Sequence, residues 1–493
     1  MKNLTTHNLN TFRISDIPEL NEIEFQSECR EILNQGARLI GLFPVERNSA
    51  ARKVVAAFAS DDTSEIKIVS RQFALEGASF ESFANDYPLT NYFECELAEN
   101  EKILPLNHPW LRPVRKQDYL FDGTPYHFYK VEGEEVHEVA VGPVHAGVIE
   151  PGHFRFQCNG ETVFHLEISL GYQHRGIEKL LLTDNNSKRL HLVESIAGDT
   201  VIGHTMAYVQ AVEALSKTGI SLRASIIRAI AEELERIAMH LTGLTGIAND
   251  VGFAIGAASY GRLRTLVINS SALLCGSRFG RGLLLPGGVR FDLSDEVIKK
   301  IKQNLEQVSN DIKLTNDFMF SSTSVMSRLD DTGKVHYKWA KDIGMVGPAA
   351  RASGVKADTR SNFPYGAYRY HVLQAVSLES GDVFARAMIR SLEIDKSLSF
   401  IFETMDQLPG GKILTPANGL ESDMGVISMT EGWRGEIVHC LFTDNAGKIK
   451  AYKVKDPSFN NWYGLGLAVR NEGISNFPLC NKSFDLSYAG HDL

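Results

Sequence analysis

The sequence has few cysteines, no long apolar run, no excess of positive charge and none of the common catalytic signatures. Its six cysteines, Cys29, Cys95, Cys158, Cys275, Cys440 and Cys480, are dispersed, and no two form a CxxC pair. This excludes the cysteine spacings of zinc and iron–sulfur sites. Dispersed cysteines in a cytoplasmic chain read as buried thiols. A metal site would have to be built from His, Asp and Glu. No stretch approaches the ~18 uninterrupted apolar residues of a spanning helix. The opening "MKNLTTHNLNTFRISDIPEL" is polar and lacks the apolar middle of a signal peptide. The expectation is a cytoplasmic protein, which can still reach a membrane by docking on a spanning partner. A net charge of −9 argues against nucleic acid as the main partner, because phosphate contacts need clustered Lys and Arg. GxSxG, the P-loop and a GxGxxG opening a helix after a strand are all missing.

What is present is an ordinary globular composition, 43% hydrophobic and 23% charged over 493 residues, too long for one small core. Residues 20 to about 125 predict a small α+β unit. "ELNEIEFQSECREILNQG" has helical spacing and closes on Gly36, while "ARLIGLFPVE", "KVVAAFA" and "SEIKIVSRQF" read as strands. "LNHPWLRPVRKQDYLFDGTPYHF" is rich in proline and weakly periodic, so it reads as a linker, giving two domains, 1–125 and 126–493. Beyond it come strand–turn–strand patterns, with a hairpin at Asn159-Gly160, and then long helices. "KRLHLVESIAGDTVIGHTMAYVQAVEALSKTG" reads as one helix, and Ser294 as the N-cap of another. "GEIVHCLFTD" and "GKIKAYKV" form a predicted hairpin ending at Asp456-Pro457, with "DPSFNN" as a turn. The fold class is α+β: a small α+β domain followed by a helix bundle with peripheral small sheets.

Four stretches concentrate chemistry. "GPVHAGVIEPGHFRF" places His145, Glu150, His153 and Arg155 in a Gly- and Pro-punctuated hairpin. Such groups either line a cleft and move protons or decorate turns. "LGYQHRGIEK" sets His174, Arg175 and Glu178 at a strand-to-helix junction, suited to an anion or a neighbouring cofactor, or simply exposed. "ESIAGDTVIGH" carries Glu194, Asp199, Thr200 and His204 along an apolar helix, with Ala197-Gly198 allowing close backbone approach. "ARASGVKADTRSNFPYGAY" gathers Arg351, Asp358 and Arg360 among turn formers, either on a cleft or on an exposed loop.

Taken in order with "RFGRGLLLPGGV", "GDVFARAMIR" and "WRGEIVH…DPSFNNW", these stretches resemble the large subunit of membrane-bound, group 4 nickel–iron hydrogenases and the homologous 49-kDa (D) subunit of respiratory complex I. The resemblance covers about residues 135–493. Residues 20–125 resemble the complex I 30-kDa (C) subunit, which is fused ahead of the large subunit in formate-hydrogenlyase-type hydrogenases. The family holds nickel and iron with cysteines in an RxCGxC and a DPCxxC motif. Here those motifs align with "ESIAGDT" and "DPSFNN", so Ala197, Thr200, Ser458 and Asn461 stand at the thiolate positions. A methyl, two hydroxyls and an amide cannot replace soft thiolates, so no metal is expected. The family's processed C-terminal peptide would begin just beyond; here "NFPLCNKSFDLSYAGHDL" follows, with strand-like and polar character.

The resemblance implies a subunit of a membrane-associated respiratory-type or energy-converting oxidoreductase complex, peripheral on the cytoplasmic face of the inner membrane. It implies an iron–sulfur partner protein carrying the clusters, with His174 and Arg175 facing it, and antiporter-like membrane subunits. No cofactor is expected on this chain itself; a quinone is the candidate occupant of the vacated cavity. Its candidate catalytic residues are His145, Glu150, His153, Asp199, Arg351 and Asp358. The complex I quinone tyrosine maps near Gly198 and its histidine near Glu150-Pro151, so those ligands do not transfer. The alternative is a redox-inactive subunit that couples the iron–sulfur partner to an ion-translocating membrane arm.

Overall fold

The computed structural model describes residues 2–116, 119–145, 149–183, 186–371 and 373–493. Helix and sheet are mixed, as an α+β composition requires. The first sheet is antiparallel, in the order Leu4–His7, Glu65–Ala74, Ala51–Ser60, Arg38–Arg47. The helix Glu22–Asn34 lies against it, and its start is fixed by a capping box between Asn21 and Glu24. Its apolar stripe, Phe25, Cys29, Ile32 and Leu33, is buried. Spacing of three and four puts these side chains on one face, where removal from water stabilises by roughly 2 kcal/mol per large side chain.

A second antiparallel sheet runs Ile449–Lys455, Gly435–Thr443, Met424–Gly432, Thr11–Arg13. The N-terminal segment thus supplies its edge strand. Asn8 fastens the crossing: its amide donates to the carbonyls of Phe363 and Met429 and accepts from Met429 N–H. The two sheets share one core, in which Ile40, Phe43 and Val55 meet Ile427, Val438 and Phe442. The helix Val201–Leu215 packs on the second sheet, and the Leu222–Asp250, Ala254–Cys275, Asp295–Ser321 and Val383–Asp406 helices form the bundle beside it. Among the described residues no helix is long and apolar enough to cross a membrane. Residues 107–135 hold no helix or extended strand among those described.

Three expectations change. The stretch from Lys188 to Gly219 is not one helix: Asn186–Val193 and Val201–Leu215 are separated by Glu194–Thr200. The interruption is satisfied from elsewhere in the fold. Arg175 donates to the carbonyls of Ser195 and Ile196, Trp433 donates to that of Asp199, and Glu235 accepts from the N–H groups of Ile202 and Gly203. A helix break with partners for its free groups no longer carries the penalty of orphaned backbone. Second, "DPSFNN" is not a free turn but the start of the helix Pro457–Val469. Asp456 is its N-cap, accepting from Ser458 N–H, and Pro457 sits in the first turn. Third, the tail is helical, Phe477–Phe484 and Tyr488–Asp492, rather than strand-like.

Candidate functional site

The helix that follows the break and the start of the Pro457–Val469 helix are joined where His204 Nε2 lies 3.0 Å from Asp456 Oδ2. Ala197, Thr200, Ser458 and Asn461 are all buried. Each polar member is committed to a protein partner. Thr200 Oγ1 accepts from Arg434 Nη1 at 3.2 Å. Ser458 Oγ accepts from Ser487 N–H at 2.9 Å. Asn461 accepts from Val346 N–H and donates to Val346 C=O, both at 3.0 Å. Trp462, one position on, donates to Ser487 C=O. The C-terminal segment therefore closes over Ser458, and among the described residues no group of three or more His, Cys, Asp or Glu side chains is arranged to hold a metal ion.

Beside this corner the surface is charged and open at Gly198. Gly198 is exposed and has open space where a Cβ would be. Asp199, with its side chain 37% exposed, pairs with the 5% exposed Arg434 through two contacts of 2.6 and 2.8 Å. Burial alone would lower the Arg434 pKa, but Asp199 holds it above its ordinary value. Arg434 also covers the Trp433 ring at 3.8 Å and donates to Asp485 C=O. Glu150 accepts from Tyr488 N–H at 3.1 Å; burial raises its pKa, with Arg434 opposing. Arg175, exposed at the rim, ties the 195–196 carbonyls to the C-terminal helix through Ala489 C=O. The arrangement can bind a polar headgroup at its rim and hold it by charge-assisted hydrogen bonds.

Gly347 supports the opening from below. It has φ +68°, and a Cβ there would lie 2.1 Å from Arg434 O. Gly347→Ala is expected to displace the Arg434 loop and destabilise the chain by about 2–4 kcal/mol, read as a lower urea midpoint with an unchanged m-value.

The remaining candidates separate. His145 packs its ring against Phe154 at 5.5 Å, and burial lowers its pKa. His153 opens the strand His153–Asn159 opposite Ser169. His174 is exposed, with Nδ1 2.7 Å from Asp492 C=O. Arg351 and Asp358 lie away from the opening, in a fully buried ionic network. Arg351 donates to Glu393 at 2.6 Å and to Glu431 at 2.8 Å. Arg360 joins Asp358 at 2.6 Å to Glu233 at 3.0 Å. His240 meets Glu393 at 2.8 Å, and Tyr368 and Tyr365 donate to Glu232. Burial opposes ionisation of Asp358 and Glu393, but Arg360 and Arg351 overcome it; Asp358 titrates at about 2 and Glu393 well below its ordinary range. Burial, with Asp358 nearby, raises Glu431. Trp433 separates network and opening, edge-on to His240 at 6.3 Å. Arg434 lies in the stretch "WRGEIVH", whereas Glu393, Glu431, His240, Glu232 and Glu233 carry this chemistry without a motif of their own; polar residues recurring along an apolar helix are the signal that Glu232, Glu233, His240 and Glu393 leave.

Residues 250–424 match the family described as "Respiratory-chain NADH dehydrogenase, 49 Kd subunit". The chain is 30% identical to formate hydrogenlyase subunit 5 of Escherichia coli, over 80% of this chain and 71% of that protein. It is 28% identical to the membrane-bound hydrogenase subunit alpha of Pyrococcus furiosus, over 71% and 85%. It is 30% identical to the D-type subunit of the NADH-quinone oxidoreductase of Dehalococcoides mccartyi, over 70% and 95%. These relatives are subunits of membrane-bound hydrogenase and complex I-type assemblies. The chain belongs to the family that unites the 49-kDa (D) subunits of complex I with the large subunits of group 4 hydrogenases.

Proposed function

We propose that this chain is the hydrogenase-type subunit of a membrane-associated oxidoreductase complex that works without a nickel–iron centre and binds an electron acceptor, a quinone or another carrier, at the opening beside Gly198. The observation that carries this reading is the state of the four aligned positions. Ala197 offers no donor, and Thr200, Ser458 and Asn461 spend their polar atoms on Arg434, Ser487 and Val346. In this reading residues 1–125 are a 30-kDa-like unit joined to a hydrogenase-like unit, 126–493. The chain sits on the cytoplasmic face of the inner membrane, between an iron–sulfur protein and antiporter-like membrane subunits. His174 and Arg175 face the iron–sulfur partner, and Glu150 and Asp199, with His145 behind, orient the acceptor.

Metal analysis of the purified complex is expected to find no stoichiometric nickel; one nickel per complex overturns the reading. Asp199→Asn, which breaks the ion pair with Arg434, is expected to slow acceptor reduction by about 10²-fold through misplacement of the rim. A second reading, a coupling subunit without redox chemistry of its own, is favoured by the absence of a tyrosine near Gly198, where the family's quinone tyrosine maps. A complex that reduces no quinone, with and without the Asp199 and His145 substitutions, selects it.

A further inference from the structure

Three buried side chains between the corner at Asp456 and a pocket that Tyr452 lines form one unbroken chain of hydrogen bonds with Asp456. Tyr452 OH lies 2.8 Å from His439 Nδ1. His439 Nε2 lies 3.1 Å from His204 Nδ1. His204 Nε2 lies 3.0 Å from Asp456 Oδ2. Exposure is 6% at Tyr452, 0% at both histidines and 1% at Asp456. His204 comes from the Val201–Leu215 helix, and His439 and Tyr452 from two paired strands of the sheet it packs on. Tyr452 also lines a cavity of about 440 Å³, together with Glu178, Lys453 and Arg115.

The order of protons follows from one end and one tautomer. Asp456 is held as a carboxylate, its pKa lowered against burial by His204, Arg434 and Ser458 N–H, so His204 Nε2 carries hydrogen; with a single hydrogen on that ring, His204 Nδ1 accepts. His439 Nε2 must then donate, and its Nδ1 accepts from Tyr452. Every link runs O–H or N–H toward the next acceptor, from the pocket to the corner. The facing groups are few: Arg434 at the Asp456 end, and Tyr208, Arg189, Cys440 and Glu178 at the Tyr452 end.

We propose that Tyr452, His439, His204 and Asp456 are a proton relay joining the pocket at the Ile449–Lys455 strand to the corner at Asp456. One passage breaks the Tyr452 O–H bond and forms His439 Nδ1–H. It then breaks His439 Nε2–H to form His204 Nδ1–H, and breaks His204 Nε2–H to protonate Asp456. Tyr452 takes its replacement proton from water in the pocket. One proton moves inward and no electron is transferred. The relay is a property of the chain whatever the acceptor or the metal content of the complex, so its failure leaves the metal and acceptor assays untouched.

The test is hydrogen–deuterium exchange on the full chain with 15N-labelled histidine. In the native chain each ring is expected to carry its hydrogen on Nε2, and the His204 Nε2 proton to exchange through the pocket. Tyr452→Phe keeps the ring and removes the first link; exchange at His204 is expected to slow by about tenfold or more. Amide protection of the Gly435–Thr443 strand, followed in the same spectra, reports whether the sheet holds. His439→Gln breaks the chain one link inward with the tyrosine in place and is expected to slow exchange equally. Unchanged exchange in either variant with amide protection intact overturns the relay. So does a native chain in which either ring carries its only hydrogen on Nδ1, a result independent of how the variants fold.

Discussion

Arg351→Met is expected to destabilise the protein by about 3–5 kcal/mol, the usual cost of removing one partner from a buried ionic network. Arg351 is fully buried, and its guanidinium serves Glu393, Glu431 and the Ala357 carbonyl at once. Burial alone would lower its pKa; Glu393, Glu431 and Asp358 hold it high. Removing it leaves the Glu393 carboxylate with His240 and no fixed cation at hydrogen-bond distance among the described residues. Chemical denaturation reads the loss as a lower midpoint. The triple change Arg351→Met, Glu393→Gln, Glu431→Gln removes the charges together and is expected to recover much of the stability. A native midpoint in Arg351→Met sinks the assignment of this network as a determinant of the fold.

Stability is expected to fall with rising pH, and Glu232→Gln to remove part of that slope, the rest coming from Glu235 and Glu94, which burial raises to about 8 and about 7. Glu232 titrates at about 8 rather than 4.5, because burial disfavours its charge and Glu233 adds to the effect, with Arg236 opposing. The folded chain therefore binds a proton that the unfolded chain releases. The stabilisation is complete below about pH 4.5 and is lost as pH rises through about 8, a few kcal/mol in all at ~1.4 kcal/mol per unit. Glutamine keeps the volume and an acceptor for the Tyr365 or Tyr368 hydroxyl and does not titrate. Urea midpoints at pH 5, 6, 7 and 8 check it: an equal slope in both proteins removes Glu232 as a source. His240 acts oppositely, because burial lowers its pKa to about 4, so its contribution is lost as pH falls from about 6.5 toward 4.

Elements with a strong local code were legible in the sequence. The strands Arg38–Arg47, Ala51–Ser60 and Glu65–Ala74, the Asn159-Gly160 hairpin, the Ser294 cap and the Leu222–Asp250 helix follow from residue type and period. The helix Ala254–Cys275 did not announce itself, because glycine, serine and arginine interrupt any apolar stripe. The break at Glu194–Thr200 was hidden for the opposite reason: apolar periodicity runs straight through it, while Arg175, Trp433 and Glu235, which stabilise it, are distant in the chain. The family motifs brought Asp199, Ser458 and Arg434 into view but not the role of Arg434, which exists only once two strands, a loop and the tail converge.

By itself the sequence determined the family, because that is a matter of which residues stand in which order. It singled out Ala197, Thr200, Ser458 and Asn461 without saying what each does. The tertiary structure decided that: a hydroxyl or amide acquires its partner only when distant backbone arrives, as Ser487 reaches Ser458 and Val346 reaches Asn461. It also separated Arg351 and Asp358 from the opening and aligned Tyr452, His439, His204 and Asp456, since hydrogen bonds act over about 3 Å in space and carry no trace in the spacing of residues along the chain.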